Sequence, residues 1–415
     1  MQHTIVGIDV GTTKVCTVVA QLRAQGRINI LGVGLTPSRG LDKGIVVNID
    51  DAINAIAVSI EKAERLSGYR IGTAFVGVAG RHIASLNSRG VVAIARPDHE
   101  ITRNDIARAV EAAQAVAIPN QREVIHVIPR AYVVDGHEGI RDPIGMSGYR
   151  LEVETHIVTG EIMAIQNLIK SVQRAGVEID DLVLQPLASG EAVLTDEDKD
   201  RGVMLVDIGG GTTDIAIFIQ GGIWHTSVIP VGGNHFTNDI ACVLHVTSNT
   251  AEYLKVKYGN AIADDNAEDD VIDVETLTGG EQQKISHRLL NEILQARAEE
   301  VVELLYHEIQ RSGYAGLLPA GMVLTGGSAQ LPRFDELIRE MLGIPVRVGV
   351  PVDLTGLTDT IDSPPYATAV GLLRWGARHG PAMVGTAQNG HHEHNNRGWG
   401  TVYDRLKGWL KEFLP

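Results

Sequence analysis

GIDVGTTK at residues 7–14 recurs, with small changes, as VDIGGGTTD at residues 206–214. Each loop follows a run of apolar, partly β-branched residues and leads into another such run, which predicts a β-hairpin. Glycines let backbone N–H groups converge on an anion, Thr hydroxyls add donors, and an Asp can hold a hydrated divalent cation. One such loop alone is more often an ordinary glycine hairpin. Two copies at this separation predict a duplicated α/β fold that grips a polyphosphate from both sides.

The composition indicates the class of protein. The 415 residues are 44% hydrophobic but only 4% aromatic, so we expect cores of Ala, Val, Ile and Leu. A net charge of −15 argues against a general nucleic-acid binder, because nothing offsets phosphate repulsion over a broad face. Two cysteines, Cys16 and Cys242, suit a reducing compartment. With no secretory signal and no apolar run of about 18 residues, we expect a cytoplasmic protein.

Three further segments extend the pattern of the loops. Residues 185–192 and 367–372 are rich in small side chains and predict two helices that pack closely where two domains meet. Residues 322–328 predict a strand that opens on Gly326 and Gly327, a turn suited to a nucleotide base or ribose. Between the loops, residues 82–160 predict a small α/β module inserted in the first domain. Residues 281–312 predict one long helix, and residues 264–270 a solvated acidic surface loop.

As an ordered set, these segments resemble the five nucleotide-site motifs of the actin, Hsp70 and sugar-kinase superfamily over nearly all of residues 1–376. The resemblance implies two ribonuclease-H-like domains that close on ATP and Mg²⁺, with the small-residue helices as a hinge. It implies that three aspartates organise Mg²⁺ through water: Asp9, Asp207 and Asp214. The implied ATP-binding residues are Asp9, Gly11, Thr12, Thr13, Lys14, Asp207, Gly209, Gly210, Gly211, Thr212, Thr213, Gly232, Gly233, Glu252, Lys255, Gly326, Gly327 and Ser328.

The resemblance says less about hydrolysis. Members with robust turnover commonly place a Glu or Gln near the hinge helix to orient the attacking water, and Gln185 occupies that place here. An amide orients water but accepts a proton poorly, so we expect hydrolysis to be slow or absent. ATP is then expected to act mainly as a conformational switch.

The end of the chain has a different character. Residues 377–397 are rich in Gly, Asn and His without apolar periodicity and predict a flexible linker. In residues 398–415, apolar side chains recur every three or four positions opposite charged ones, which predicts an amphipathic helix that lies at a membrane surface. The alternative is a terminal helix docked on its own protein. The membrane-facing residues would be Trp399, Val402, Tyr403, Leu406, Trp409, Leu410 and Phe413.

The core, the insertion and the terminal helix together resemble the FtsA family of bacterial cell-division proteins. That family implies self-assembly into actin-like protofilaments, binding of the FtsZ C-terminal tail, and recruitment of later division proteins through the insertion. It places such a protein on the inner face of the cytoplasmic membrane at the division site. Arg297 matches a basic residue of the family's tail-binding helix, although a solvated helix charge explains it equally well.

The resemblance also implies a division of the chain. The expected units are a first actin-like domain (1–81 and 161–195), the insertion (82–160), a second actin-like domain (196–233 and 309–376), its small subdomain (234–308), the linker (377–397) and the amphipathic helix (398–415). Two rival functions stay open. A pilus-assembly adaptor of the same superfamily would not need the terminal helix, and a sugar kinase would need a sugar pocket with a catalytic Asp, which no segment clearly supplies.

Overall fold

The structure is a computed structural model, and it describes residues 4–23, 27–263, 271–275 and 282–379. The strands are β1 (Thr4–Val10), β2 (Lys14–Leu22), β3 (Ile28–Pro37), β4 (Leu41–Asp42), β5 (Ile45–Val46), β6 (Thr73–Val78), β7 (Ile83–Ala93), β8 (Arg122–Val134), β9 (His137–Ile140), β10 (Arg150–Glu161), β11 (Glu178–Leu184), β12 (Val203–Ile208), β13 (Thr213–Ile219), β14 (Gly222–Ile229), β15 (Val271–Glu275), β16 (Gln282–Ser286), β17 (Met322–Thr325), β18 (Val346–Val348) and β19 (Leu354–Gly356). The helices are α1 (Ile49–Ser67), α2 (Arg103–Gln114), α3 (Ile162–Arg174), α4 (Gln185–Val193), α5 (Asp196–Arg201), α6 (Gly233–Leu244), α7 (Ser248–Tyr258), α8 (His287–Ser312), α9 (Phe334–Leu342) and α10 (Ala367–His379).

Two sheets repeat one topology. The first has the strand order β11-β6-β1-β2-β3-β19 and the second the order β14-β13-β12-β17-β18. In each, three strands form an antiparallel meander, and two parallel strands continue the sheet beside the first strand of the meander. We call the first sheet with the helices packed on it the first lobe, and the second sheet with its helices the second lobe. The duplication that the paired loops predicted is therefore confirmed.

The hairpin register decides where the acidic side chains lie. In the first lobe Asp9 pairs with Cys16 across β1 and β2, and in the second lobe Asp207 pairs with Asp214 across β12 and β13. Each pair lies at the loop end of its hairpin. The two loops thus deliver three carboxyl groups to the same ends of two sheets, because the fourth equivalent position is a buried cysteine.

A separate sheet of order β7-β10-β8-β9 carries α2 on one face, and we call these elements the insert. Its core is aliphatic, with Ile106, Val110, Leu151 and Val153 fully buried. Helix α2 begins with a capping box, since Asp105 accepts hydrogen bonds from both the backbone and the hydroxyl of Thr102. The insert leaves the first lobe after β6 and returns to it at α3.

One predicted helix is shorter than expected. The pattern predicted a helix over residues 281–312, but residues Gln282–Ser286 form β16, which pairs with β15, and α8 begins only at His287. Polar residues with high helix propensity suggested a helix, yet Ile285 is buried beside Ile272 against the core of the second lobe. Tertiary pairing here overrides local propensity. The acidic segment 264–270 lies outside the described residues.

Helices α4 and α10 cross between the lobes, as their small side chains predicted. A Cβ at Gly371 would lie 1.8 Å from the carbonyl oxygen of Ala188, so the crossing depends on a glycine. The linker was predicted to start at residue 377, but α10 runs to His379. The last turn of α10 is held in place, since Arg378 pairs with Glu191 of α4 and the His379 ring stacks on Trp375 at 4.1 Å. Residues 380–397 and the predicted helix 398–415 lie outside the described residues. Across the described ranges, no helix has the length and apolar character needed to cross a bilayer.

Candidate functional site

The two glycine loops meet across the cleft between the lobes. A Cβ at Gly210 would lie 1.9 Å from Thr13 Oγ1, and one at Gly211 would lie 2.9 Å from Thr12 Oγ1. The hydroxyl of Thr12 also accepts a hydrogen bond from the Gly44 backbone N–H at 3.3 Å. The glycines are therefore needed for the close approach of the loops, which together line one cavity.

The three aspartates all line this cavity, each with a different partner. Asp9 accepts a hydrogen bond at 3.0 Å from Gln185 Nε2, which extends from the first residue of α4. Asp207 accepts one at 3.1 Å from Thr368 Oγ1 on α10. Asp214 Oδ2 accepts one at 3.0 Å from Thr212 Oγ1, whereas its Oδ1 is buried without a partner.

Burial makes all three carboxyl groups difficult to ionise. Desolvation, with the charge of Asp207 as a smaller contribution, raises the pKa of Asp9 to about 7 against the opposing effect of Lys14. Desolvation and the charges of Asp207 and Asp9 raise the pKa of Asp214 to about 7. The pKa of Asp207 is raised by burial as well, although Thr368, Ser189 and Lys14 oppose the shift. A cation in the cavity would remove this repulsion.

These carboxylates suit a hydrated cation better than a bare one. Within the described part of the chain, no group of three or more His, Cys, Asp or Glu side chains is arranged to hold a metal ion by itself. The unpartnered Oδ1 of Asp214, which lines the same cavity as the loops, is nevertheless an acceptor that needs a donor. A dication whose bound waters donate to the carboxylates would satisfy it, and the same ion could also bind an anion held by the loops.

Lys14 supplies a positive charge to the same cavity. Its Nζ donates a hydrogen bond to the Pro365 carbonyl at 2.6 Å and lies 3.8 Å from the centre of the Tyr366 ring. Burial lowers the pKa of this amine, although the charges of Asp9, Cys16 and Asp207 act against the shift. The side chain thus reaches from the first loop to the segment that leads into α10.

A second cavity adjoins the first and shares Thr13, Gly209, Gly210 and Gly327 with it. Lys255 Nζ donates to the Gly233 carbonyl at 3.1 Å and pairs with Glu252 at 2.7 Å, so these predicted residues are held together. The remaining lining is Asn234, Phe236, Val256, Ser328, Gln330, Leu331 and Pro332. Its mixture of backbone, amide and apolar groups suits a flat heterocycle with a ribose.

Two predicted residues support the site without lining either cavity. Thr213 is fully buried in β13, where its hydroxyl donates to the Val231 carbonyl at 2.8 Å. Gly232 packs on the second loop, since a Cβ there would lie 2.6 Å from the Gly209 carbonyl oxygen. A third predicted residue, Gly326, does line the first cavity. With a φ of +86° it adopts a conformation that favours glycine, and it lies against Asp207 and Ile208.

The sequence reasoning missed several residues that line the cavities. Thr368 was inside a segment identified only for its small side chains, and its hydroxyl was the available signal. Gly44, Ala79 and Pro365 come from connections that carry no motif. The apolar wall of Phe236, Val256, Leu331 and Pro332 has no sequence signature, because it assembles from three separate segments.

The predicted partner residue Arg297 lies away from this cleft, on α8. Its guanidinium binds Asp239 of α6 through Nε at 2.5 Å and Nη2 at 3.0 Å, and also pairs with Glu300. With Val243, Glu292, Ile293 and Ala296, these side chains line a groove between α6 and α8.

Comparison with known proteins gives two family matches. Residues 204–371 match the family described as "Cell division protein FtsA", and residues 80–159 match the "SHS2 domain inserted in FTSA". The cell division protein FtsA of Pseudomonas aeruginosa is 44% identical over 407 residues, which cover 98% of this chain and 97% of that protein.

Solved structures resemble the chain in fold. The PilM-PilN type IV pilus biogenesis complex superposes with a TM-score of 0.66 at 16% identity, covering 90% of this chain and 98% of that one. MreB5 of Spiroplasma citri bound to ADP gives a TM-score of 0.56 at 15% identity, covering 90% and 96%. Such identities speak for the fold alone. They confirm the actin-like fold class, and the second family match confirms that it carries an inserted domain.

Proposed function

The chain belongs to the FtsA family of cell division proteins, and we propose that it is an ATP-binding, actin-like protein that tethers FtsZ filaments to the inner face of the cytoplasmic membrane. The observation that carries the nucleotide part is the meeting of the two glycine loops over three carboxyl groups, two of them with a pKa of about 7. A cavity built this way stabilises an anion and a cation that enter together.

ATP and Mg²⁺ fit this cavity. Thr12, Thr13 and Lys14 from the first loop and Gly209–Thr212 from the second would hold the phosphates, while the adjoining cavity would hold the nucleoside. Asp9, Asp207 and Asp214 would hold Mg²⁺ through its waters. When bound, the ion would neutralise the charge shared by the phosphates and the carboxylates.

Hydrolysis is proposed to be slow. Gln185 donates its amide hydrogen to Asp9, which leaves its amide oxygen as the group that can orient a water. An amide is a poor base, so Gln185 would orient the water without removing its proton efficiently. Bound ATP would therefore mainly stabilise one arrangement of the lobes and of the protofilament that the chain is proposed to form.

Gly327→Ala tests the location of the nucleotide. No atom lies within 4 Å of a Cβ built at Gly327, so the substitution should leave the free energy of unfolding unchanged. Gly327 nevertheless lines both cavities, and a methyl group there would occupy space proposed for the nucleotide. We expect about tenfold weaker binding of a fluorescent ATP analogue, corresponding to ~1.4 kcal/mol.

Gly72→Ala is the matched control for Gly327→Ala, because it also adds a methyl group to open space but lies at the other end of β6 from Ala79 and lines neither cavity. It should bind the analogue like the wild type. Equal affinity in both variants would show that the nucleotide does not occupy this cleft.

Membrane attachment is proposed through residues 398–415, on the strength of their apolar stripe and adjacent charged face. Three basic against two acidic side chains give little attraction to anionic lipid, so insertion of Trp399, Trp409 and Phe413 would dominate. A single such segment binds reversibly. Assembly into a protofilament would present many of them together and strengthen attachment through effective concentration.

The groove between α6 and α8 is the proposed site for the FtsZ tail. Val243 is 53% exposed there, beside Ile293 and Ala296, and charged side chains flank this apolar floor. Arg297 would contribute by exchanging part of its contact with Asp239 for the incoming peptide. The insert, which extends from the first lobe as a separate sheet, is proposed to recruit later division proteins. We propose the division into domains that the sequence suggested, except that the second actin-like domain extends through α10 to His379.

Flotation with liposomes tests the tethering function. We expect FtsZ filaments to float with liposomes only when the full chain and ATP are present, and not with a chain that ends at Asn396. Within the full chain, Trp409→Glu should abolish flotation because it places a charge in the apolar stripe, whereas Glu412→Gln on the charged face should not. Flotation of FtsZ by the truncated chain would refute membrane attachment through this segment. If the full chain floated with the liposomes but FtsZ filaments did not float with it, the tethering of FtsZ would be refuted while membrane attachment would stand.

A further inference from the structure

The insert belongs to the first lobe by connection but contacts the second lobe directly. It is joined through β6 and α3, yet its strands lie against β14, the edge strand of the second sheet. In the described chain the two sheets share no backbone ladder. Side chains make the contacts instead: Ser85 Oγ donates to the Thr226 carbonyl at 2.8 Å, and Asn87 Nδ2 donates to the Trp224 carbonyl at 3.4 Å.

A buried histidine adds to these contacts between the insert and the second lobe, which we call the seam. His156 on β10 is 1% exposed, and its ring bonds to Asn87 Oδ1 through Nδ1 at 2.8 Å and to Thr226 Oγ1 through Nε2 at 2.9 Å. Because the Asn87 amide nitrogen donates to Trp224, its oxygen can only accept, so Nδ1 carries the proton and Nε2 accepts from Thr226. Burial lowers the pKa of His156 to about 3, with His225, Arg130 and His126 adding to the effect, so the ring is neutral near pH 7. We call Asn87, His156 and Thr226 the relay. Its hydrogen bonds from the insert to β14 form only while the insert lies against that strand.

A second set of contacts reinforces the relay. The buried guanidinium of Arg130 on β8 pairs with Glu154 at 2.8 Å, stacks 4.5 Å from the Trp224 ring and donates to Tyr314 Oη at 3.2 Å. Farther along, Arg141 pairs with Asp200 of α5 at 3.2 Å. The seam therefore extends over more than one element of the second lobe.

The same strand leads into the nucleotide cleft. β14 ends at Ile229, and after a short turn the first residues of α6 bond to the second glycine loop, with Gly233 N donating to Gly209 O and Asn234 N to Gly210 O, both at 2.8 Å. Gly233 and Asn234 line the second cavity. One short strand thus carries the insert on its side and part of the cleft at its end.

We propose that the insert is a latch across the two lobes, and that its seating on β14 and the binding of nucleotide in the cleft strengthen each other. The insert is covalently part of the first lobe. Any movement of the second lobe that opens the cleft must therefore break the hydrogen bonds between the insert and β14 or move the insert relative to the first lobe. A nucleotide that holds the lobes closed therefore holds the insert seated, and by linkage the seated insert raises nucleotide affinity. This inference rests on the nucleotide-binding function proposed above.

Hydrogen–deuterium exchange of the full chain tests the latch, with ATP-analogue binding measured on the same samples. In the wild type we expect nucleotide to slow exchange in residues 83–88 and 222–229. Thr226→Val removes the hydroxyl that donates to His156, so it should speed exchange in those segments and weaken nucleotide binding about fivefold. Thr155→Val is the control, because it removes a buried hydroxyl that bonds to Ser88 inside the insert. Its nucleotide affinity should stay at the wild-type value.

The outcomes separate the latch from the function it rests on. Normal nucleotide binding by the wild type with unchanged exchange in both segments would overturn the latch and leave the proposed function intact. Equal loss of affinity in Thr226→Val and Thr155→Val would also overturn it, by showing that any buried hydroxyl has the same effect. A wild type that fails to bind nucleotide would overturn both.

Discussion

Asp214→Asn is expected to make the nucleotide-free protein more stable at pH 8 while weakening its binding of Mg²⁺ and ATP by about 10- to 100-fold. Asp214 is 3% exposed, its Oδ1 has no partner, and its pKa is about 7. At pH 8 the folded protein therefore holds a buried carboxylate near Asp207 and Asp9. Removing that charge relieves the cost of its burial, on the order of 3 kcal/mol, but also removes an acceptor for the hydrated ion.

The pH dependence has a definite sign. The pKa of Asp214 rises from 3.8 to about 7 on folding, so the folded state binds this proton more tightly than the unfolded state. Its contribution to stability is fully present below about pH 4 and is lost as the pH rises to about 7 and above. Thermal unfolding without nucleotide should show a smaller loss of stability between pH 5 and pH 8 in the variant than in the wild type. Saturating Mg²⁺ and ATP should restore stability to the wild type far more than to the variant.

Asp198→Asn provides a control of opposite sign. Burial alone would raise the pKa of Asp198, but hydrogen bonds from Thr195 and Arg347 lower it overall, so its carboxylate stabilises the fold. Its replacement should destabilise the protein at pH 8 and leave nucleotide affinity unchanged. If Asp214→Asn instead proved less stable than the wild type at pH 8 without nucleotide, the site would not hold an uncompensated charge.

Gly371→Ala is expected to lower the free energy of unfolding by ~3 kcal/mol and to weaken nucleotide binding as well. The new Cβ would lie 1.8 Å from the Ala188 oxygen and 2.2 Å from its carbonyl carbon, and backbone atoms cannot rotate away. Helices α4 and α10 would have to separate. Ser189 and Thr368, which both hydrogen-bond to Asp207, lie on these helices next to the crossing and would move with them. Urea unfolding and titration with the ATP analogue measure the two effects.

Gly316→Ala is the matched control for the crossing. Gly316 lies in the short helix Ala315–Leu317 with no atom within 4 Å of a built Cβ, so its substitution should change stability by less than about 0.5 kcal/mol. A similarly small change for Gly371→Ala would show that the helices are not closely packed at the crossing. Loss of stability without loss of nucleotide affinity would show that the crossing does not position Asp207.

Local patterns carried much of the fold prediction. The glycine loops and the small-residue helices are signals that neighbouring residues create, so the sequence identified them directly. The prediction of a helix over residues 281–312 was wrong at its start because β16 exists only through its pairing with β15, and that pairing outweighs the helix propensity of residues 282–286. The linker was predicted to begin too early because the last turn of α10 is held by Glu191, far away in the chain.

The candidate site divides in the same way. By itself, the sequence determined the duplicated loops, the three acidic positions and the glycines, because each follows from backbone geometry and charge within a few residues. Only the tertiary structure decided that Thr213 supports the loop, that Thr368 contacts Asp207 and that Arg297 is bound by Asp239. It alone also raised the pKa of Asp9 and Asp214, because desolvation depends on what surrounds a carboxyl group in space. The contact of the insert with β14 is likewise a property of folded surfaces, which no local pattern encodes.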